Sequence, residues 1–367
     1  MDLTREEINL HSLRHNIREI RKRIGRNVKI CGVVKDNAYG HGILPVSKVL
    51  IKEGVEFLGL ADVSDGIYLR EKGIKVPIIN LISNLPGQVK DIIRFNITQS
   101  VSELPMVKLI NKESRKNNKI AKIHIKIDTG MGRLGVLPED FKKFYKEVLN
   151  LKNIKIEGVY THFASADKNK EYTLNQINIF KDLNSDIPAN IIKHGAGSAA
   201  VINYKNSYFD MVRPGLMIYG LYYSKKDMLK INLKQVLAWK AKIILVKKMK
   251  KGSLISYGGV YRTKKDTKIA VVSVGYGDGF NRLLSNNGEV IIRGVKYPIV
   301  GRVCMDMTMI EIGMKSNVKI GDDVVLIGES KNEKIFVEDI AKKCKTISHE
   351  VVCGINAQIK RDYKKTK

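Results

Sequence analysis

The chain has 367 residues, more than one small domain requires, and its 44% hydrophobic content is ordinary for a globular protein. The net charge of +28 raises the possibility of a nucleic-acid binder. The lysines, however, are spread evenly among apolar positions and form no aromatic–basic motif. We therefore interpret the charge as a lysine-rich solvated surface and expect no nucleic-acid partner. We also expect no membrane partner, because no apolar run approaches the roughly 18 residues of a membrane span.

The start of the chain and the cysteines indicate a compartment. The opening sequence MDLTREEINL is charged from its second residue and has no apolar core of a signal peptide, so we expect a cytoplasmic protein. The four cysteines form no CxxC pair and have no histidines at zinc spacing. We expect reduced, mostly buried thiols and no metal site.

Short apolar runs of strand length recur over the first two thirds of the chain. Between most of them lie charged segments, and residues 43–50 and 141–149 have apolar positions at helical spacing. Eight strands alternating with helices predict an α/β fold, a (β/α)8 barrel of the TIM type. The fourth strand is weak, so a doubly wound open sheet is the alternative. The runs are KICGVVK (29–35), EFLGLAD (56–62), VPIINLI (76–82), ITQSV (97–101), KIHIKID (122–128), IKIEGVYTH (154–162), NIIKHGAG (190–197) and FDMVRPG (209–215).

The pattern changes after Gly220. Strand-like runs such as KIAVVSVGYGDG, MTMIEIG and DDVVLIG are punctuated by glycine and turn residues, and VEDIAKKCKT is the main helical stretch. Ser, Lys, Asp and Asn cluster at residues 222–233, where we place a boundary. The prediction is a barrel domain over residues 1–231 and a mainly β C-terminal domain over residues 232–367.

Titratable side chains stand at the ends of five predicted barrel strands. The carboxyl ends of barrel strands carry the active site in this architecture. Lys35 ends the first strand, so its amine is expected to point into that mouth, although a lone lysine there is more often a solvated one. The ends of the other strands favour the functional interpretation of Lys35, because random surface charge would not gather at the same end of several strands. These ends carry Lys126 to Arg133, His162, His194 and Arg213.

Glycine-rich turns follow the seventh and eighth strands. HGAGS and RPG expose backbone N–H groups where many barrels bind phosphate, and Ser198 adds a hydroxyl. A lysine facing such a turn is typical of an enzyme that holds pyridoxal phosphate covalently.

Seven motifs strengthen this interpretation because they occur together and in order. They are VVKDNAYGHG, KIDTGMGRLG, THFASAD, MVRPGLMIYG, ISYGGVYRT, GYGDGF and GRVCMDMT, spanning residues 33–308. In this set and order the sequence resembles the alanine racemase family. The N-terminal helix (LHSLRHNI) and the C-terminal region resemble it more loosely.

The resemblance implies a pyridoxal-5'-phosphate racemase with a fold-type III barrel and a C-terminal β domain, acting as a homodimer with composite active sites. It would interconvert L- and D-alanine and supply D-alanine for cell-wall synthesis. Lys35 would carry the cofactor and act as one base. Arg213 would hydrogen-bond the pyridine nitrogen and, as a guanidinium, leave it unprotonated. The residues implied in phosphate and cofactor binding are Tyr39, His162, Ser198, Gly215, Leu216 and His349.

Racemisation requires a proton to leave one face and arrive on the other, so two bases are needed. By resemblance, Tyr257 from the partner subunit is the second base. A phenol has an unperturbed pKa of about 10, so nearby cations must lower it. His162, linked to Arg213, would supply that help.

The same resemblance implies a substrate site and an entry corridor. Arg133 and the Met305 backbone would meet the substrate carboxylate, and Lys126 matches a lysine that is often carbamylated. The corridor would be lined by Asp167, Tyr276, Arg282, Arg302 and Ile347. For Asp167 and Arg302, a simple ion pair is the alternative interpretation.

Two positions depart from the family pattern. Gly197 replaces an asparagine that normally precedes the phosphate-binding serine, and His349 replaces a tyrosine that donates to the phosphate. These departures leave open a substrate other than alanine, such as serine or a larger amino acid. A non-catalytic pyridoxal-phosphate carrier is a further alternative, but the β domain with Tyr257 argues against it.

Overall fold

The computed structural model describes residues 2–364. It begins with strand β1 (Thr4–Asn9) and helix α1 (Leu10–Ile24), and then enters a closed barrel of eight parallel strands. The ring confirms the predicted barrel, including its weak fourth strand, and excludes the open doubly wound sheet. The barrel strands are β2 (Lys29–Val33), β3 (Phe57–Leu60), β4 (Ile78–Asn80), β5 (Thr98–Val101), β6 (Ala121–Lys126), β7 (Ile154–Tyr160), β8 (Ile192–Gly197) and β9 (Met211–Arg213).

Helices follow most barrel strands and cover the outside of the ring. α7 shows why they form: a proline opens it, two acidic residues occupy its first turn, and Phe141, Phe144 and Val148 bury one face. The helices of this half are α2 (Lys35–Tyr39), α3 (Ile43–Lys52), α4 (Val63–Glu71), α5 (Val89–Arg94), α6 (Leu104–Lys116), α7 (Pro138–Leu149), α8 (Lys170–Leu183) and α9 (Ser198–Asn203).

The C-terminal third is mainly β, as predicted. After α10 (Lys225–Met228), a nine-stranded sheet is built around the long strand β10, and β11 and β12 form a separate hairpin. The strands are β10 (Leu237–Met249), β11 (Leu254–Ile255), β12 (Tyr261–Arg262), β13 (Thr267–Val272), β14 (Glu289–Ile292), β15 (Val295–Pro298), β16 (Thr308–Glu311), β17 (Asp323–Ser330), β18 (Glu333–Ile335) and β19 (Lys360–Lys364), with helices α11 (Val337–Lys343) and α12 (Ser348–Cys353) between the last two.

Both ends of the described chain enter that sheet. β1 pairs antiparallel with β10 and parallel with β19, so residues from the start of the chain lie in the C-terminal sheet. Neither β1 nor β19 was predicted, because their sequences are mostly charged. Glu6 in β1 is fully buried and forms an ion pair with Arg361 of β19, with 2.8 Å between Glu6 Oε2 and Arg361 Nε.

The barrel interior is unusually polar below its carboxyl end. On β6, residues 122, 124 and 126 share one face because side chains alternate along a strand, and His124 and Lys126 are buried. Tyr160 of β7 stacks on His194 of β8 with ring centroids 4.7 Å apart. Interiors of such barrels are normally filled by branched apolar side chains, so these polar groups need a structural or functional reason.

Two further expectations concern the whole chain. Within the described part of the chain, no helix combines the length and apolar character that a membrane crossing demands. The four cysteines are free, but only Cys31 and Cys344 are buried, so the expectation of mostly buried thiols was wrong for Cys353, which is exposed.

Candidate active site

A cavity of about 340 Å³ opens at the carboxyl ends of the barrel strands. Its lining includes four cations and, among the described residues, no carboxylate. This is the electrostatic environment that a phosphate or carboxylate ligand requires. Ten residues predicted from the sequence meet here: Lys35, Tyr39, Lys126, Arg133, His162, Ser198, Arg213, Gly215, Leu216 and His349.

Lys35 and Tyr39 reach the cavity through an uncommon backbone turn. Residues 36–39 of α2 all have positive φ, between 52° and 56°. A left-handed conformation costs roughly 1–2 kcal/mol for each such residue. The Asn37 side chain offsets part of this cost by accepting the Ile43 N–H at 2.8 Å. The turn directs Lys35 and Tyr39, four positions apart, into one cavity, and the Lys35 side chain stays 40% exposed.

Ser198 and Gly215 bring two barrel strands together at one corner of the cavity. The Ser198 hydroxyl accepts hydrogen bonds from the backbone N–H groups of Gly215 (3.0 Å) and Met217 (3.3 Å). Its own proton is therefore free to be donated. A Cβ at Gly215 would lie 2.5 Å from the Tyr39 hydroxyl. Burial raises the pKa of Tyr39, so this hydroxyl stays protonated and is a donor.

Arg213 lies at the floor of the cavity and is almost fully buried. Its Nη2 donates to the carbonyls of Thr161 (2.7 Å) and Gly195 (3.0 Å), and its Nη1 lies 2.6 Å from His194 Nδ1. Nη2 also lies 3.3 Å from His162 Nδ1. Among residues 2–364, Nε makes no hydrogen bond, which leaves this donor available to a ligand.

His162 and Lys126 are strongly affected by their surroundings. Burial, together with the charges of Arg213 and Arg133, lowers the pKa of His162 to about 3, so its imidazole is neutral. Burial and the same two cations lower the pKa of Lys126 to about 8. The Lys126 side chain lies over the ring of Tyr160, with Nζ 5.4 Å from the ring centroid.

Asp128 positions the loop that carries Arg133. Its carboxylate accepts four backbone N–H groups, from residues 130 to 133, at 2.7–3.1 Å. Gly135 closes the loop with a φ of 142°, and a Cβ there would lie 2.3 Å from the Asp128 nitrogen. The motif DTGMGRLG therefore holds a rigid turn over the cavity.

His349 comes from α12 of the C-terminal region and lies between two tyrosines. Its ring centroid is 5.7 Å from that of Tyr39 and 5.8 Å from that of Tyr223. Burial and the charge of Lys35 lower the pKa of His349, so it is a neutral donor. Sequence analysis missed Tyr223, whose only signal was its place at the predicted boundary. At Gly197, a Cβ would lie 3.3 Å from His162, so the glycine leaves room for that ring.

Tyr257 and Met305 lie elsewhere in the described chain, on an exposed surface of the β region. Tyr257 is at the tip of the β11–β12 hairpin and is 71% exposed, and Met305 is 55% exposed. The Ser256 hydroxyl donates to the Arg302 carbonyl at 2.7 Å, and the Tyr276 N–H donates to the Cys304 carbonyl at 3.0 Å. We call this surface the Tyr257 face; it comprises Tyr257, Tyr276, Arg302, Met305 and Met307.

The remaining corridor residues are also outside the cavity in the described chain. Arg282 and Ile347 are exposed, and so is Asp167, which lies close enough to Tyr223 to contribute to the raised pKa of that phenol, after burial. Within residues 2–364, Asp167 and Arg302 form no ion pair with each other.

Known proteins resemble this chain over its whole length. The family model "Alanine racemase, N-terminal domain" matches residues 8–223, and "Alanine racemase, C-terminal domain" matches residues 236–363. An alanine racemase from Halothermothrix orenii is 46% identical over 366 residues, covering 98% of this chain and 96% of the relative.

Solved structures agree with these matches. An alanine racemase from Clostridium difficile 630 has a TM-score of 0.93 at 39% identity, covering 99% of this chain and 96% of that one. One from Bacillus anthracis has a TM-score of 0.92 at 33% identity, covering 100% and 96%. On the motifs, the closed barrel with its cationic cavity and the match of both domains, the chain belongs to the alanine racemase family.

Proposed function

We propose that the protein is a pyridoxal-phosphate-dependent isomerase that interconverts L- and D-alanine. The observation that carries this proposal is the cavity at the barrel mouth, where Lys35 stands among three further cations. The match to both alanine racemase domain models argues against a carrier built from the barrel alone.

The residues of the cavity fit this cofactor. Ser198 has a free hydroxyl proton, Tyr39 stays protonated, and His349 is a neutral donor, so three groups can hydrogen-bond a phosphate. Gly215 leaves open the space beside Tyr39 that a side chain would fill. Lys35 would hold the cofactor covalently, and Arg213 Nε would donate to its ring nitrogen. When bound, pyridoxal phosphate stabilises the carbanion formed at the substrate Cα.

Gly215→Ala tests this corner of the site. The new Cβ would overlap the Tyr39 hydroxyl, and overpacking of this kind costs about 1–3 kcal/mol. We expect pyridoxal phosphate to bind about 10–100-fold more weakly, measured by fluorescence titration of the apoprotein. Gly87→Ala is the matched control, because a Cβ there meets nothing within 4 Å. Equal affinity in both variants would contradict the assignment.

Two side chains would move the Cα proton. Lys35 would exchange it on one face, and Tyr257 of the partner subunit would exchange it on the other. Neutral His162 accepts from Arg213 at Nδ1, so its Nε2 carries a proton that can stabilise a phenolate. The help to Tyr257 would thus be a hydrogen bond backed by the charge of Arg213. Arg133 and the Met305 backbone N–H of the partner subunit would hold the substrate carboxylate.

The exposed Tyr257 face supports a homodimer with composite sites. Apolar side chains cluster there at exposures that suit a buried interface better than a free surface. Tyr257 does not line the cavity of its own described chain, so a second copy is the source of this base. The same contact would bring Asp167, Tyr276, Arg282, Arg302 and Ile347 to the entry corridor.

Lys126 would react with carbon dioxide to form a carbamate, releasing one proton. The neutral amine is the reactive form, so carbamate formation should rise as pH increases through about 8. The anionic product would pair with Arg133 and orient it. We expect a carbamate signal in ¹³C NMR after addition of labelled bicarbonate, larger at pH 8 than at pH 6. Lys126→Met should lack the signal; its persistence would assign the carbamate to another lysine.

Alanine is the proposed substrate, and the Bacillus anthracis relative was solved with bound L-Ala-P. Gly197 and His349 favour serine as a second candidate, since both change the surroundings of the phosphate corner. Racemisation rates over a panel of L-amino acids separate the two. We expect kcat/KM to be highest for alanine; a higher value for serine would reassign the substrate.

A further inference from the structure

The barrel core contains a line of four polar side chains that ends at Arg213. Arg213 Nη1 lies 2.6 Å from His194 Nδ1, and His194 Nε2 lies 2.7 Å from His124 Nδ1. His124 Nε2 then lies 3.4 Å from Glu157 Oε2. The two histidines are fully buried, and Arg213 is nearly so. This line leads from the floor of the cavity to a carboxylate deeper in the barrel.

The partners determine where every proton in this line sits. A guanidinium can only donate, so His194 must accept at Nδ1 and carry its own proton on Nε2. His124 must then accept at Nδ1 and carry its proton on Nε2, facing a carboxylate that only accepts. Burial lowers the pKa of both histidines, so both are neutral. Donation therefore runs in one direction, from Arg213 through His194 to His124, whose Nε2 proton faces Glu157 at 3.4 Å.

Glu157 is the only carboxylate in this line and is held in its ionised form. Its oxygens meet Lys122 Nζ at 2.8 Å and the Thr98 hydroxyl at 3.2 Å. Burial alone would raise its pKa, but the contacts with His124 and Lys122 outweigh burial and lower it to about 2. Glu157 is thus an ionised acceptor shared with Lys122, and two neutral imidazoles separate it from the buried guanidinium.

The two imidazoles orient favourably toward both charges. Each presents its lone pair toward the cation and its N–H toward the anion. Successive hydrogen bonds in such a chain polarise, and so strengthen, one another. Among the described residues, Arg213 has no carboxylate in direct contact, and a buried guanidinium without compensation is costly. A carboxylate in contact with it would occupy donors that face the cavity. We call the line of Arg213, His194, His124 and Glu157 the relay. It fixes Arg213 Nη1 and leaves Arg213 Nε free.

We propose that Glu157 and His124 are positioning residues for the reaction: acting through His194, they hold Arg213 as a cation aimed at the ring nitrogen of the cofactor. This inference deepens the proposed function and rests on it. Glu157 and His124 touch neither the cavity nor the reacting atoms, and are absent from its described lining. Gly158 leaves the space that the His124 ring occupies, since a Cβ there would lie 2.5 Å from that ring.

The first test needs no variant. In protein labelled with ¹⁵N histidine, the imidazole spectra of the full-length wild-type enzyme report tautomer and charge. We expect His124 and His194 to be neutral with the proton on Nε2 throughout the neutral pH range, with and without cofactor. Either residue found as a cation, or with its proton on Nδ1, overturns the relay.

The second test uses Glu157→Gln and Gly158→Ala, read with ¹⁵N-labelled pyridoxal phosphate. We expect kcat to fall about 10–100-fold with KM for alanine little changed, as for loss of a supporting contact behind a site. We also expect the ring-nitrogen resonance to move toward that of an unbonded pyridine. Glu53→Gln is the matched control for charge: its side chain is 11% exposed against 13% for Glu157, and it pairs with Arg18 on the outside of the barrel. Gly87→Ala is the control for added volume.

If the variants behave like their controls in both kcat and resonance, the inference is overturned. Should Gly158→Ala fail to fold, the isosteric Glu157→Gln and the wild-type tautomers still decide it. The proposed function has a separate measure, because alanine racemisation by the wild-type enzyme is assayed independently of the tautomers. An active wild type with the wrong tautomers would overturn the relay alone.

Discussion

Lys35→Ala is expected to abolish racemisation, by at least about 10⁴-fold, since one group both holds the cofactor and moves a proton. Its amine enters the cavity from the left-handed turn of α2, and no other lysine of the described lining stands on that turn. The visible absorbance band of lysine-bound pyridoxal phosphate should disappear from the purified protein. Activity is measured by coupled assay in both directions.

The matched control for Lys35 lies at the start of β2, the strand that precedes it. Lys29 begins β2 at the opposite end of the barrel and is exposed there, so Lys29→Ala should keep both the band and the activity. An added small amine should partly restore Lys35→Ala, because the missing group is an amine. Wild-type turnover in Lys35→Ala would refute its assignment as base.

Tyr257→Phe is expected to stop racemisation while sparing exchange on the other face. In heavy water, deuterium should enter Cα of only one alanine enantiomer, because Lys35 still moves the proton on its own face. The fold should be unaffected, since the Tyr257 side chain is mostly exposed on the hairpin tip. Incorporation is followed by NMR of each enantiomer.

Mixing the two inactive variants tests the composite site directly. In a mixed dimer of Lys35→Ala and Tyr257→Phe, one site has both bases and the other has neither. Random exchange makes half the dimers mixed, so activity should return to about a quarter of the wild-type value. Tyr257→Phe mixed with wild type is the control for the mixing procedure, because half of the wild-type activity is expected there with or without exchange. No recovery despite proven subunit exchange would place Tyr257 in the site of its own chain.

The local sequence was sufficient to predict the barrel and most of its mouth. Alternation of strand-length apolar runs with helical segments predicted all eight strands, and titratable residues at their ends converge because parallel strands share one carboxyl edge. Ten predicted residues line one cavity for that reason. Tyr223 escaped because an aromatic residue after the last strand has no periodic or spacing signal.

The β region shows where local patterns lose information. β1 and β19 are mostly charged, and only their pairing across the chain makes a buried Glu6 tolerable, through Arg361. Hydrophobic periodicity along the sequence does not reveal a buried ion pair of this kind. The left-handed turn at residues 36–39 was equally invisible, because none of its residues is glycine.

By itself, the sequence determined the family, the order of the barrel elements and the candidate residues that meet in the cavity, because motifs and periodicity are local properties of the chain. Only the tertiary structure decided the state of those residues. His162 is neutral, Lys126 has a lowered pKa and Arg213 reaches Glu157 through two histidines because of burial and neighbours contributed by distant strands. Desolvation and hydrogen-bond direction arise from packing, and packing is settled only when the barrel closes.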